Sequence, residues 1–339
     1  MFNIAIFSSL LLSVITLGSV SPDLFPSYFI YIIIGLILYW FFSKLGFDVI
    51  RYFSTHIYVI SIILLLTTLI IGQVTRGTVR WIPIGSFTFQ PAEFIRPFLI
   101  VFFAQYLTRI GELKFKRLLT ALLLLVLPVS LILIQPSLGV SILTIVGFVG
   151  VLFSSDFNKK YILVGLAIIS ALMPIFWFVL QPYQKSRVET FLNPQNDPLG
   201  AGYNSIQSVI SVGSGRLFGK GLGKGVQTQL AFLPEKQTDF IFASISEELG
   251  FVGASILLIL TFIIFISLIK FMENAVSVEA RAFLSGFFLM YFVQVFVHIG
   301  MNMGIMPVTG LPYPLISSGG SSLIATLIGL GIARGSVKR

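Results

Sequence analysis

Long apolar runs recur along almost the whole chain, and no other feature restricts its fold as much. A bilayer-spanning helix needs about 20 predominantly apolar residues. Backbone inside hydrocarbon has no water to bond, so a spanning segment of this length is a helix that satisfies its own N–H and C=O groups. The pattern predicts ten helices, at about 3–20, 26–43, 55–74, 91–108, 118–135, 138–154, 160–180, 240–269, 282–305 and 316–334. The fifth and sixth are separated only by residues 135–139, a very short re-entry. The 339 residues are 56% hydrophobic and 10% charged, where a soluble domain carries about 25% charge. That leaves too little polar surface to cover a water-soluble globule. The expected fold is an all-α polytopic membrane protein, a single membrane domain over 1–339. No small-residue cleavage site follows the first run, which therefore reads as a retained helix rather than a signal peptide.

Cations set the orientation. With the N-terminus inside, the inner segments hold Lys44, Arg51, Arg109, Lys114, Lys116, Arg117, Lys159, Lys160, Lys270, Arg281, Arg334, Lys338 and Arg339, and the short outer loops hold Arg76 and Arg80. This bias places both termini in the cytoplasm, as an even helix count also requires. The connection at 181–239, between helices seven and eight, faces outside yet carries Lys185, Arg187, Arg216, Lys220, Lys224 and Lys236. Loops of about 60 residues escape the charge rule. Structureless loops above ~15 residues are functional or disordered in most cases. Phe191, Leu192, Tyr203, Ile206, Val209, Ile210 and Phe232 would let this one fold back on the bundle, so it reads as functional.

The absence of cysteine excludes disulfides and thiol catalysis. His56 and His298 are too few and too far apart in sequence for a zinc site. The net charge of +9 would point to nucleic acid in a soluble chain. Here it belongs with topology and lipid headgroups.

Four regions could carry chemistry. The glycine-rich stretch 211–228 fails the phosphate-loop pattern, because Lys220 and Lys224 are each followed by glycine rather than Ser or Thr. It reads equally as a flexible connector or as a loop whose N–H groups and cations meet an anionic headgroup. Asp239 stands where the long loop meets helix eight. It is a candidate base at the membrane surface, and Thr238 or Asp239 is also a candidate N-cap. Glu247 and Glu248 follow about 12 Å along the axis, as acids inside a span or as partners of Arg96 in a buried ion pair. In residues 76–97, Trp81, Phe87 and Phe89 suit an interfacial belt, Arg80 could hold a phosphate, and Glu93 and Arg96 are spaced for an intrahelical pair. In residues 298–322, proline and glycine break the backbone at membrane depth, which survives only against protein or a cavity. The start of helix ten, at Ser317–Ser322, would point its positive dipole end there. His298 reads as a hydrogen-bonded core residue. Together these features support an outward-facing site for an anionic amphiphile, and on physical grounds alone both transporter and enzyme remain open.

Over nearly its whole length the chain resembles the SEDS family, the RodA/FtsW-like proteins. The resemblance is carried by Arg80-Trp81 with Gln90-Pro91-Ala92-Glu93, by Gln135-Pro136-Ser137-Leu138-Gly139, and by Gly200-Ala201-Gly202-Tyr203-Asn204 with Gln207-Ser208. It continues through Gly219-Lys220-Gly221, Phe232-Leu233-Pro234-Glu235 with Thr238-Asp239-Phe240, and Glu247-Glu248-Leu249-Gly250. It ends with His298, Met301-Asn302, Pro307, Thr309-Gly310, Pro312 and Gly319-Gly320-Ser321. Ser137 stands where many relatives carry Asp, Val140 where they carry Thr, Ala92 where they carry Ser, Arg96 where they carry Lys, and Ser318 where they carry Tyr.

The resemblance implies a peptidoglycan glycosyltransferase of the bacterial cytoplasmic membrane that polymerises lipid II and releases undecaprenyl pyrophosphate. Asp239 would be the catalytic residue. Arg80, Lys220 and Lys224, with Arg96, would meet the leaving pyrophosphate, and Trp81 would shape the groove. Glu93, Glu235, Thr238, His298, Asn302 and Ser321 complete the expected substrate-binding set. No cofactor is required, although a divalent cation, Mg or Mn, fits pyrophosphate departure. The implied partners are lipid II, the undecaprenyl-linked glycan, membrane lipids and a class B penicillin-binding protein, with no nucleic acid. The short tails point toward a RodA-like elongation role rather than division. A lipid II flippase and a non-catalytic scaffold for the penicillin-binding protein are the alternatives.

Overall fold

A computed structural model describes residues 1–75, 78–84, 87–108, 115–155, 167, 178, 181–200 and 202–337. In chain order the elements are α1 (Phe2–Val20), a 3-10 turn at Pro22–Leu24, α2 (Phe25–Leu45), α3 (Phe47–Tyr52), α4 (Ser54–Ile71), β1 (Gln73–Thr75), β2 (Thr78–Ile84), β3 (Phe87–Phe89), α5 (Pro91–Phe94), α6 (Arg96–Thr108), α7 (Phe115–Ile134) and α8 (Leu138–Ser154). The long loop contributes α9 (Pro182–Leu192), a 3-10 turn at Pro194–Asn196, α10 (Tyr203–Ser214) and α11 (Val226–Gln229). The chain ends with α12 (Ile241–Glu273), α13 (Val278–Asn302) and α14 (Gly320–Gly335). Nine of the ten expected helices are present within a few residues of their expected bounds. The seventh, 160–180, lies outside the described residues apart from positions 167 and 178, as do Arg76, Arg109, Lys114, Lys159, Lys160, Ala201, Lys338 and Arg339.

Among the described residues, six helical stretches are long and apolar enough to cross a membrane: Phe2–Val20, Pro22–Leu45, Ser54–Ile71, Phe115–Ile134, Ile241–Glu273 and Val278–Asn302. The apolar helices α8 and α14 are shorter, at 17 and 16 residues. The outward faces of α1, α2, α4, α7 and α12 carry large exposed apolar side chains, among them Phe7, Trp40, Ile70, Leu123 and Phe262. So large an apolar exterior suits lipid, and the chain is a polytopic membrane protein. Inside, α14 is buried from Gly320 to Ala333 and packs on α2, while α8 packs on α13. Small residues set that second contact: a Cβ on Gly150 would come within 2.8 Å of Gly286 Cα. Close backbone approach through glycine is how membrane helices gain packing without a hydrophobic driving force.

Two features depart from plain spanning helices. Between α4 and α5 the chain forms an antiparallel meander in the order β1-β2-β3, with Ile82 opposite Phe89 and Ile84 opposite Phe87. The β-branched and aromatic run 78–84, followed by Gly85-Ser86, is the sequence signal for it. The second feature is in α12, which breaks at Gly250 (φ 68°, ψ −163°) into a buried half-helix, 241–249, and a 23-residue spanning part, 251–273. Part of the long loop is spliced into the break. Lys220 and Gly221 donate their N–H groups to the carbonyls of Glu247 (2.9 Å) and Glu248 (3.0 Å), and Phe251 and Val252 donate to Arg216 O (2.8 Å) and Leu217 O (3.1 Å). Each backbone group left bare in hydrocarbon costs several kcal/mol, so the loop makes the break affordable. Glycines permit it: a Cβ on Gly215 would lie 1.7 Å from Ser246 O, and one on Gly219 would lie 2.2 Å from Glu248 O. The glycine-rich stretch is therefore a fitted structural insert, not a flexible connector.

Candidate active site

The half-helix of α12 begins beside Asp239. A tight turn precedes it, in which Glu235 (φ 51°) accepts at its carbonyl from the N–H groups of Thr238 (3.1 Å) and Phe240 (3.2 Å). Thr238 Oγ1 donates to Glu235 Oε2 at 3.0 Å. The N-cap of α12 is Phe240, with no side-chain cap bond. Neither Thr238 nor Asp239 caps the helix, because the turn carries the chain into it at an angle that leaves Phe240 in the capping place. The Asp239 carboxylate instead lies beside the backbone of Gly310, where a Cβ would sit 3.6 Å from Oδ2.

The broken segment between α13 and α14 holds this turn in place. Ser317 Oγ donates to Thr238 O (2.7 Å) and accepts from Tyr313 N (2.8 Å), and Ser318 N donates to Gln237 O (2.9 Å). Asn302, fully buried at the end of α13, donates from Nδ2 to Asp239 O (2.9 Å) and His298 O (2.8 Å). Its Oδ1 accepts from Ala243 N at 3.0 Å. One amide thus ties the backbone of Asp239 and the first turn of the half-helix to α13. His298 is fully buried, bonds Leu311 O through Nδ1 at 2.7 Å, and meets Tyr313 edge-on. Ser321 Oγ accepts from Gln90 N at 2.8 Å and fixes the start of α5 to α14.

A second wall comes from β2, α5 and α6. Glu93 and Arg96 are buried, and Glu93 is within electrostatic reach of Arg96, Arg80 and Asp239. Arg80 on β2 lies over the ring of Trp81, with Cζ 5.9 Å from its centroid, a cation–π distance. Arg96 donates from Nε to Glu93 O (3.3 Å) and from Nη1 to Gln294 Oε1 (3.1 Å), and Gln294 Nε2 donates to Pro312 O (2.8 Å). The expected Glu93–Arg96 pairing is electrostatic, while the guanidinium hydrogen bonds reach across to α13. Arg80, Arg96 and Asp239, from three separated stretches of chain, thus all lie within electrostatic reach of the buried Glu93.

The structure does not bring Lys220, Lys224, Glu247 and Glu248 to this place. Eight residues separate Asp239 from Glu247 along the half-helix, about 12 Å at 1.5 Å per residue. Glu247 accepts from Gln227 N (2.9 Å) and Thr228 N (3.0 Å) and pairs with Lys220 at 3.3 Å. Glu248 accepts from Ser19 Oγ (2.6 Å) and Gln229 Nε2 (2.8 Å). The two glutamates are held by the loop and by α1 and do not pair with Arg96. They sit level with the last turn of α1. Lys224 is exposed at the same level. Nearby, Lys236 donates to Thr228 O, and burial lowers its pKa while Glu248 pulls it back up. Sequence reasoning missed Gln294, Ser317 and the backbone at Gly310. Gln294 had a signal, since a polar side chain in the middle of a span is costly and marks a function or a bond.

Comparison with known proteins bears on this geometry. The sequence profile of the FtsW/RodA/SpoVE family, described as cell cycle proteins, matches residues 3–336. The chain is 42% identical over 281 residues to the peptidoglycan glycosyltransferase MrdB of Escherichia coli, covering 82% of this chain and 76% of that one. It is 37% identical over 286 residues to the probable peptidoglycan glycosyltransferase FtsW of Aliivibrio salmonicida, covering 83% and 71%. Among solved structures, it matches a chain from "Structural coordination of polymerization and crosslinking by a peptidoglycan synthase complex". That match has a TM-score of 0.84 and 33% identity over 98% of this chain and 95% of that one. The rod shape determining protein RodA of Thermus thermophilus matches with a TM-score of 0.74 and 28% identity, over 98% and 94%.

Proposed function

The chain belongs to the FtsW/RodA/SpoVE family, and from that membership and the site geometry we propose that it is a peptidoglycan glycosyltransferase polymerising lipid II at the outer face of the bacterial cytoplasmic membrane. The sugar 4-hydroxyl of one lipid II attacks the anomeric carbon of the lipid-linked donor. A C–O bond forms, the bond to undecaprenyl pyrophosphate breaks, and the hydroxyl proton passes to Asp239 as general base. Arg80 stands ready for the charge that develops on the leaving pyrophosphate, with Arg96 behind it balancing Glu93. The first turn of α14 adds a positive dipole end. Lys220 and Lys224 have no part in this step.

The observation that carries the reading is the placement of Asp239. Its backbone is held by Asn302, its carboxylate lies beside the backbone of Gly310, and Glu93, with Arg80 and Arg96, stands within electrostatic reach. Among the described residues no three His, Asp or Glu side chains converge as a metal cage. A Mg or Mn ion would therefore enter with the substrate's phosphates, which is how Mg commonly binds, and no step here is routed through one. The match to a chain of a peptidoglycan synthase complex supports a class B penicillin-binding protein as partner. The similarity to MrdB and RodA supports a role in elongation.

The test is glycan synthesis from fluorescent lipid II by the purified chain with its penicillin-binding partner, compared with Asp239→Ala. Ladders from the parent and none from a folded variant are expected. Ladders from both would remove Asp239 from the chemistry. Ladders from neither would favour the flippase or scaffold readings.

A further inference from the structure

Helix α10 buries serines and leaves aliphatic side chains on its outer face. Its serines face inward: Ser208 and Ser211 are buried, and Ser208 Oγ donates to Asn302 O at 2.9 Å. Its aliphatic residues Val209 and Ile210 face outward, and the apolar face continues into Leu217 and Phe218, which are 53% and 75% exposed. A surface helix in water shows the opposite order. Large exposed apolar patches mark a protein or membrane contact.

The position of this face identifies what covers it. Residues 216–221 are hydrogen-bonded into the break of α12. The backbone of Arg216 and Leu217 is therefore bonded to that of Phe251 and Val252, and Phe251, which is 67% exposed, opens the outward apolar face of the spanning part. Gly223 N bonds Ser19 Oγ at 2.7 Å, which sets the loop level with the end of α1. The apolar patch thus continues a lipid-facing surface at the depth where hydrocarbon gives way to headgroups. Arg216 and Lys224 are exposed beside it, and Lys220, paired with Glu247, completes the cationic rim. An open recess of about 720 Å³ runs along residues 213–220. Apolar side chains flanked by cations are the pattern of an interfacial segment attracted to anionic lipid.

We infer that residues 209–224 form an interfacial anchor, with Val209, Ile210, Leu217 and Phe218 among the acyl chains of the outer leaflet and Arg216 and Lys224 binding the phosphate of an anionic phospholipid headgroup. Through the splice at Gly250 the anchor reaches the half-helix whose other end carries Asp239. The half-helix is thereby held at a set height above the bilayer.

The full chain, reconstituted into nanodiscs, tests this. Phe218→Trp places a fluorophore on a side chain that is mostly exposed, and a melting curve matching the parent's checks that it folds. The emission of the variant minus that of the parent is followed with chain-brominated phosphatidylglycerol or phosphatidylcholine at equal mole fraction. Quenching by both is expected, at least about twofold stronger with phosphatidylglycerol. Adding Arg216→Gln and Lys224→Gln should abolish the preference and keep the quenching. No quenching by either lipid would overturn the anchor and leave the patch to water or a protein partner. Equal quenching before the charges are removed would overturn headgroup recognition. A preference that survives the double charge change would remove Arg216 and Lys224 from the site.

Discussion

Asn302 shows how one side chain can organise a site without touching substrate. Its amide serves two carbonyls and one N–H, among them Asp239 O and Ala243 N in the first turn of the half-helix. Asn302→Leu keeps the volume and leaves those groups buried without partners, at about 1–3 kcal/mol for each unsatisfied group. The expected outcome is a lower melting temperature in detergent together with loss of glycan synthesis. Arg96 is the second case. Arg96→Met isolates the buried Glu93 carboxylate, and breaking a buried charge pair costs about 3–5 kcal/mol. Arg96→Lys keeps the charge but not the reach to both Glu93 O and Gln294, so its loss in thermal unfolding should be smaller. The family resemblance pointed to Asn302, His298 and Ser321, and the residue pattern already read His298 as a hydrogen-bonded core residue. That Asn302 and Ser321 also hold backbone was not legible, because hydrogen-bond partners 4 to 231 residues away cannot be read from spacing.

The broken α12 is the element on which the site depends. Its two halves are joined at a residue in left-handed backbone, and the freed peptide groups are capped from a loop some 30 residues earlier in the chain. Gly219→Ala and Gly250→Ala both put a Cβ 2.2 Å from backbone at positive φ. Strain alone costs on the order of 1–3 kcal/mol at each, and the clash adds to it. Gly213→Ala meets nothing within 4 Å and should be tolerated. A thermal-shift series across the three variants checks the order. Hydropathy marked 240–269 as apolar but could not show the break, since it does not report backbone angles. The loop's glycines were visible and their purpose was not, because it lies in the backbone they approach.

At the scale of the molecule, the outward apolar faces, the α8–α13 glycine contact and the buried α14 describe a bundle sorted for lipid outside and close packing inside. The charge distribution predicts its orientation, with the long loop outside. The chain has no cysteine, so single cysteines report topology without further engineering. Gln195→Cys, on the exposed part of the loop, should react with an impermeant maleimide in intact cells. Glu273→Cys, at the opposite end of α12, should react only after the membrane is opened. Labelling in the reverse order would invert the topology.

The sequence by itself predicted the spans, an orientation for them and Asp239 as the carboxylate at the centre of the site. The first two rest on local hydropathy and charge, which act through the bilayer and need no partner segment. The third rests on a residue pattern that names the carboxylate without showing its surroundings. Tertiary structure alone decided which charges share a space with that carboxylate. It drew Arg80, Glu93 and Arg96 toward Asp239 and left Lys220 and Lys224 at the far end of the half-helix. The reason is geometric: each unmet peptide group near hydrocarbon must find a partner. For the break at Gly250 those partners were residues 216–221, and satisfying them carried the lysines away from the site.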